Sequence, residues 1–174
     1  MIRKGTLDDL PQIDELFDEH FQHQKKFEAY TISQRGIFPT LEGMTQAINE
    51  GALFIREEDG DNLGHIVLDK TQPPEFANLD WHTQADDNAV AVIHMINVRP
   101  RAYRTGVARS LIAFAEEWAR EHGCRVLRSE CGSQNLPAVL LFKHVGFKRV
   151  DISSIKINGV LQADGHIFFE KSLS

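Results

Sequence analysis

The chain has 174 residues and a formal charge of −6, with 42% hydrophobic residues, which suits one domain with a real core and argues against disorder. An acidic balance disfavours non-specific nucleic-acid binding, and no segment nears the roughly 18–20 apolar residues of a membrane span. The opening MIRKGTLDDL lacks the apolar core of a signal peptide, and Cys124 and Cys131 form neither a CxxC pair nor a zinc spacing. Together these favour a cytoplasmic protein with reduced thiols and no membrane or nucleic-acid partner.

Ile2–Thr6 reads as a short first strand. Thr6 and Asp9 have the spacing of a capping box, and Ile13, Leu16, Phe17 and His20 follow at helical spacing. Pro11 leaves the start of that helix open, since a proline is best tolerated in a first turn. His20 and His23, near Asp18 and Glu19, have no evident third ligand, so the expectation is a solvated helix face and no metal. Residues 28–38 read as loop, and Thr40 caps a second short helix ending at Gly51.

Ala52–Glu58 and Gly64–Lys70 flank Asp-Gly-Asp-Asn, a hairpin signature. Thr71–Asn88 is a long polar connection, and loops of that length are often functional. Within it, Trp81 reads first as a hydrophobic anchor and second as part of an acceptor pocket. Ala89–Val98 is a nearly continuous apolar run, as in a central strand.

The next stretch, VRPRAYRTGVARSL, sets Arg99, Arg101, Arg104 and Arg109 around Gly106. Val107, Leu111, Ile112, Ala115, Trp118 and Ala119 then form one helical stripe, closed by Gly123. A strand turning into a helix exposes N–H groups with no intrahelical partner, and the helix dipole adds partial positive charge. Gly106 lets a ligand approach the backbone closely. The segment is therefore a candidate anion site, with the arginines as helpers. Cys124–Cys131 reads as a strand, Asn135–Phe147 as a short helix stopped by Gly146, and Lys148–Ile157 with His166–Leu173 as a final strand pair around an Asn158-Gly159 turn. The order β-α-α-β-β-β-α-β-α-β-β implies a mixed sheet with helices on both faces.

Two spaced motifs carry a resemblance. Tyr103-Arg104-Thr105-Gly106-Val107-Ala108 stands where the GNAT superfamily of acyl-CoA-dependent N-acetyltransferases has Arg or Gln, two residues, Gly, one residue, then Gly or Ala. Gly106 and Ala108 match, and Tyr103 departs. Asn135, Ala138, Phe142 and Gly146-Phe147 match the spacing of a second motif of that family, in which a tyrosine stands at the position of Phe142. The chain resembles this family most strongly from about Val92 to Phe147.

The resemblance implies a single GNAT-like domain over residues 1–174, in an α/β fold. It has about seven strands, mostly antiparallel, with a central splayed parallel pair. It also implies acetyl-CoA as cosubstrate, and a homodimer. The pyrophosphate would lie on Tyr103, Arg104, Thr105, Gly106, Val107, Ala108 and Arg109. The pantetheine arm would pair with Ile96, Asn97 and Val98 as an added strand. Asn135 would bond that arm, and Ala138 and Phe142 would lie beside it.

Amine acetylation needs a neutral amine, a donor to the oxyanion and release of a thiol. His94 and Glu130 are the two candidate bases. His94 is alternatively a satisfied core histidine, and Glu130 an exposed carboxylate or one paired with Arg128. The oxyanion donor is a strand N–H near Asn97 or Val98. Phe142 has no hydroxyl to donate. The thiolate then leaves unaided, or Cys131, Ser133 or water supplies the proton, or the protein binds acyl-CoA without catalysis. The first is favoured, because a thiol of pKa near 8.5 is a fair leaving group. The acceptor is a primary amine of a small molecule or peptide, and acidic residues such as Asp18, Glu19, Glu28 and Asp86 suit a cationic one.

Overall fold

The computed structural model describes residues 1–27, 31, 33–157 and 161–173. Among these are seven strands and four α-helices, joined by short 3-10 turns: β1 Ile2–Lys4, α1 Leu10–Phe27, α2 Leu41–Asn49, β2 Leu53–Glu58, β3 Asp61–Asp69, β4 Val90–Val98, α3 Val107–Glu121, β5 Val126–Gly132, α4 Leu136–His144, β6 Lys148–Ile157 and β7 Leu161–Ser172. The chain divides into two compact units, Met1–Leu68 with Met95–Leu111, and Asp69–His94 with Ile112–Ser174. Strand β4 and helix α3 each run through both.

In the first unit the hydrogen-bonded order is β1-β2-β3-β4, all antiparallel. Ile13, Leu16 and Phe17 of α1 and Met44 and Ala47 of α2 are buried against Leu53, Ile55 and Val67 of β2 and β3. Each large side chain so buried contributes about 1.5–3 kcal/mol. Helix α1 begins where the capping spacing places it, but through a 3-10 turn at Leu7–Asp9 that carries Asp9 back to the Thr6 N–H (2.7 Å). Pro11 falls in its first turn, where a missing N–H costs nothing. Thr40 caps α2 by accepting from the Gly43 N–H.

Two expectations change here. The hairpin turn is the two residues Asp59-Gly60, both at positive φ (52° and 80°), so β3 starts at Asp61 rather than Gly64. This backbone suits the twist of paired strands, and it leaves Asn62 and Leu63 in β3. His20 is not solvated. It is 8% exposed, with Gln24 Nε2 at 2.6 Å from its Nε2 and the Tyr103 hydroxyl at 3.5 Å from its Nδ1. Burial pushes its pKa down to about 4, with the charge of His23 acting in the same direction.

In the second unit the order is β4-β5-β7-β6. Strands β4 and β5 pair in parallel from Val90↔Val126 to Ile93↔Ser129, and the other pairs are antiparallel. Phe76, Trp81, Val90, Val92, Val126 and Phe168 form its core on one face. The connection 71–88 is thus anchored by its own aromatic residues, as expected of Trp81. The Trp81 indole N–H donates to the Phe76 carbonyl (2.9 Å), and the Arg128 guanidinium lies over its ring at 4.0 Å. Strand β7 begins at Leu161, five residues before the expected His166. Gly165, at φ +69°, reads as a break in sequence but is carried within the strand. The Asn158-Gly159 turn lies outside the described residues.

Candidate active site

The residues singled out by sequence fall into two groups, one in each unit. The first unit holds the turn between β4 and α3. A 3-10 turn over Pro100–Ala102 leads into Arg104 at φ +65° and Gly106 at φ +92°. Nothing lies within 4 Å of where a Cβ on Gly106 would stand. The Gly106 carbonyl accepts from the Ser110 N–H (2.9 Å), so this residue is the entry to α3. The N–H groups of the first helical turn point out here without intrahelical partners. An open cavity of about 630 Å³ lies against this turn, lined by Thr105, Gly106, Val107 and Ser110 on one side. Arg56, Glu58, Asp59 and Asp61 of the β2–β3 hairpin line the other, and Arg101 also borders it.

The four arginines divide sharply. Arg99 is 3% exposed, and its Nε donates to the Asn62 carbonyl (2.6 Å) while its Nη atoms meet Glu19 and Glu15. Arg101 is paired with Asp61. Both are committed to the fold. Arg104 and Arg109 are exposed and make no hydrogen bond or ion pair among the described residues. The charge available to a ligand therefore sits on Arg104 and Arg109, on either side of the open glycine. Ile96, Asn97 and Val98 are half-buried at the end of β4. The Asn97 amide lies 3.4 Å from His65 Nε2 and donates to the Met95 sulfur.

The second unit holds His94, Glu130, Asn135, Ala138 and Phe142. Asn135 is the N-cap of α4, its Oδ1 accepting from the Ala138 N–H (3.3 Å). The Asn-x-x-Ala spacing thus has a local structural cause, and the Asn135 amide nitrogen remains for a ligand. Phe142 is 4% exposed, stacked on Phe169 (5.2 Å between centroids) and edge-on to Phe147 (5.1 Å). Beside Ser129 on β5, the Cys131 thiol is pushed up to about 12 by burial, with the charge of Glu130 adding to it. It stays a thiol at neutral pH.

His94 Nε2 lies 2.8 Å from Asp69 Oδ1. Glu130 does not pair with Arg128. Arg128 instead faces Glu170 across the β5–β7 ladder, Nε to Oε2 at 2.9 Å. Glu130 Oε2 lies 3.1 Å from His166 Nε2. The Glu130 side chain is 26% exposed, but Oε2 itself is buried. Burial raises the Glu130 pKa to about 7, and the charge of Glu75 adds to the shift. A carboxyl poised near neutrality can take a proton at pH 7 and lose it again. Asp69 and His166 were not legible as site residues, since each is defined only by a partner distant in sequence.

Residues 10–147 match the model of the acetyltransferase (GNAT) family. Among curated relatives, an uncharacterized N-acetyltransferase of Methanocaldococcus jannaschii is 25% identical over 87% of this chain, which spans 62% of that relative's length. An aminoglycoside N(6')-acetyltransferase type 1 of Stenotrophomonas maltophilia is 26% identical over 71% of this chain and 80% of its own. Among solved structures, a GNAT-family acetyltransferase of Listeria monocytogenes superposes with a TM-score of 0.71 at 19% identity, covering 99% of this chain and 94% of its own. The yncA protein of Salmonella typhimurium, solved with acetyl-CoA, does so with a TM-score of 0.68 at 18% identity, covering 100% and 94%.

Proposed function

The chain belongs to the GNAT acetyltransferase family, whose cosubstrate is acetyl-CoA, and on that premise we propose that it moves an acetyl group from acetyl-CoA to a primary amine of a small molecule or peptide. The observation that carries this reading is the turn at Gly106, open to solvent and flanked by the two arginines that the fold does not use. A diphosphate suits it: unpaired helix N–H groups, a positive dipole end and two free guanidinium groups all favour an anion. Tyr103 to Arg109 would hold the pyrophosphate, while Ile96, Asn97 and Val98 would pair with the pantetheine arm. Asn135 would donate to that arm through its free amide, beside Ala138 and Phe142.

A lysine-like amine is neutral only about once in a thousand molecules at pH 7, so a base lowers the barrier. Glu130 suits the task better than His94. Its pKa lies near neutrality, whereas the Nε2 of His94 is already engaged by Asp69. As the amine nitrogen attacks the thioester carbon, its proton passes to Glu130. A strand N–H at Asn97 or Val98 holds the oxyanion, and the thiolate leaves when the tetrahedral intermediate collapses. Phe142 offers no proton to it. A relative named for aminoglycoside acetylation supports a small-molecule amine, and the −6 charge suits a cationic one. Free, buried Cys124 and Cys131 fit a reducing cytoplasm.

The apolar Phe142 also favours a second reading, an acyl-CoA-binding domain without catalysis. Thiol release from acetyl-CoA, measured against a panel of aminoglycosides, polyamines, amino sugars and peptide amines, separates the two. Acceptor-dependent release establishes the enzyme. Tight acetyl-CoA binding without release from any amine establishes the binder. Absence of binding overturns both.

A further inference from the structure

Side chains alternate along a strand, so Val126, Arg128, Glu130 and Gly132 of β5 share one face with Phe168, Glu170 and His166 of β7. Two acid–base pairs lie on that face, and they differ in kind. Arg128 and Glu170 stand directly opposite and are fully satisfied. Glu170 Oε2 accepts from Arg128, its Oε1 accepts from the Thr83 N–H (2.8 Å), and the remaining Arg128 nitrogens reach Gln72 and the Thr83 carbonyl. That is how a structural buried pair looks.

Glu130 and His166 are different. His166 stands opposite Gly132, so its ring reaches diagonally past a residue without a side chain to Glu130, Nε2 to Oε2 at 3.1 Å. His166 is 2% exposed. Among the described residues its Nδ1 and Glu130 Oε2 are both buried without a formed hydrogen bond, so the 3.1 Å approach of Nε2 to Oε2 is a close pair not yet aligned as one. A pair kept for stability alone would be saturated, because each buried orphan atom is costly. Incomplete satisfaction is the state of a site that awaits another polar group or a proton.

We propose that His166 is the positioning residue of the Glu130 base: it shares one proton with the Glu130 carboxyl, and so fixes which way that carboxyl points and when it ionises. The inference rests on the acetyltransferase reading for its role in turnover. Before reaction a small turn of the neutral imidazole aligns Nε2–H on the carboxylate 3.1 Å away. As the N–C bond forms, the proton lost by the acceptor nitrogen comes to rest on the Glu130 carboxyl, and it passes to solvent after the thiolate has gone. Burial acts on both partners in the same sense, raising Glu130 and lowering His166, so the imidazolium–carboxylate form is disfavoured. The titratable or charged groups around this face among the described residues include Glu75 of the 71–88 connection, Cys131 next to Glu130 in the chain, the Arg128–Glu170 pair and, on β6, Lys148 opposite Glu170 and Asp151 opposite Phe168; His94 with Asp69 flanks it from β4. Ser153 of β6 stands opposite His166 on its other side.

The test uses the full chain with His166→Gln, His166→Leu and Glu130→Gln. The first readout needs no activity. The imidazole nitrogens of His166 are followed by NMR through a pH titration in the wild type and in Glu130→Gln. A shared proton moves the His166 midpoint by about one unit or more between the two, and identical titrations overturn the proposal. The second readout is the pH–rate profile with an acceptor that supports thiol release. His166→Leu should lower kcat by about tenfold or more and displace the acid limb, with KM for acetyl-CoA unchanged. His166→Gln, whose amide can still donate to the carboxylate, should keep most of the rate. An unmoved limb and kcat in His166→Leu overturn the role. If no amine supports release, it is the acetyltransferase reading that fails, and the titration alone decides the shared proton.

Discussion

Asp69 Oδ1 stands 2.8 Å from His94 Nε2, tying an imidazole on β4 to the end of β3. Burial would raise the Asp69 pKa, but the bond and charge of His94, with bonds from Thr71, hold it below the usual carboxylate range. A depressed carboxylate contributes stability above its unfolded pKa and loses it as pH falls through the folded value. Asp69→Asn should therefore lower stability at pH 7 by about 1 kcal/mol for a pair this exposed, read as a lower melting temperature. The difference from wild type should vanish in acid below the folded pKa. With its Nε2 so engaged, His94 has no free nitrogen on that side to take the amine proton and is the poorer candidate for the base. His94→Gln should keep turnover within about threefold, against a loss of about a hundredfold or more for Glu130→Gln. The reverse order would move the base to His94.

Gly106 sits at φ +92° with open space at its Cβ position. A side chain there meets no neighbour in the fold, so the cost to stability is backbone strain alone, about 1–2 kcal/mol. The same side chain projects toward the space a diphosphate would take. Gly106→Val should therefore weaken acetyl-CoA binding by about a hundredfold or more in calorimetry, while far-UV circular dichroism stays that of the wild type. Unchanged affinity would show that the cofactor lies elsewhere.

The arginines give a sorted prediction. Arg104→Ala and Arg109→Ala remove uncommitted, exposed cations. Each should weaken acetyl-CoA binding by about three- to tenfold, more at low salt than at high. Arg101→Ala leaves Asp61 at the surface with Arg99 Nε still 3.7 Å away and should change affinity little. Arg99→Ala removes a buried guanidinium from the Asn62 carbonyl and from Glu19 and Glu15, which are themselves open to water, and should cost about 1–3 kcal/mol of stability. Melting curves and binding isotherms on the four variants test the division directly.

This division also marks where sequence reading stops. Four arginines around one glycine look alike in sequence, and only the approach of Glu15, Glu19 and Asp61 separates the structural pair from the free one. Features with a local cause are legible: the Thr40 cap, the presence of a hairpin between β2 and β3, the apolar stripe of α3 and the central strand β4. The two spaced motifs carried the family because they too are local. What depends on register was not legible. Glu130 and His166 are 36 residues apart and meet only because Gly132 pairs with His166. Charge alone suggested Arg128 as the partner of Glu130, two residues away, yet β7 supplies Glu170 to Arg128 instead. His20 read as solvated because its helix neighbours are polar, and Tyr103, brought from a distant turn, covers it.

Phe142 tests how the thiolate leaves. Its ring is 4% exposed between Phe147 and Phe169, so a hydroxyl added there must be buried. If departure needs no acid, Phe142→Tyr should leave kcat within about threefold and lower stability by about 1–3 kcal/mol for an unpartnered hydroxyl. A rise in kcat of tenfold or more would instead show that proton delivery to sulfur limits the present chain. Rates and melting temperatures from one preparation give both numbers.

The Glu130 pair sets stability against activity. A carboxyl whose folded pKa is raised from 4.5 to about 7 binds its proton more tightly when folded than when unfolded. Stability from this group is therefore full below about pH 4.5, falls between about pH 4.5 and 7, and is lost above. His166 runs the other way: lowered by burial, it withdraws stability as pH falls below its ordinary value near 6.5. Glu130→Gln removes the buried carboxylate but keeps its shape. It should melt higher than the wild type at pH 8 and close to it at pH 4.5, while losing most of its turnover at pH 8; at pH 4.5 the wild-type carboxyl is itself protonated, so the two rates converge. Equal melting temperatures at pH 8 would mean that the Glu130 carboxylate is solvated in the native state, and that its poise near neutrality does not exist.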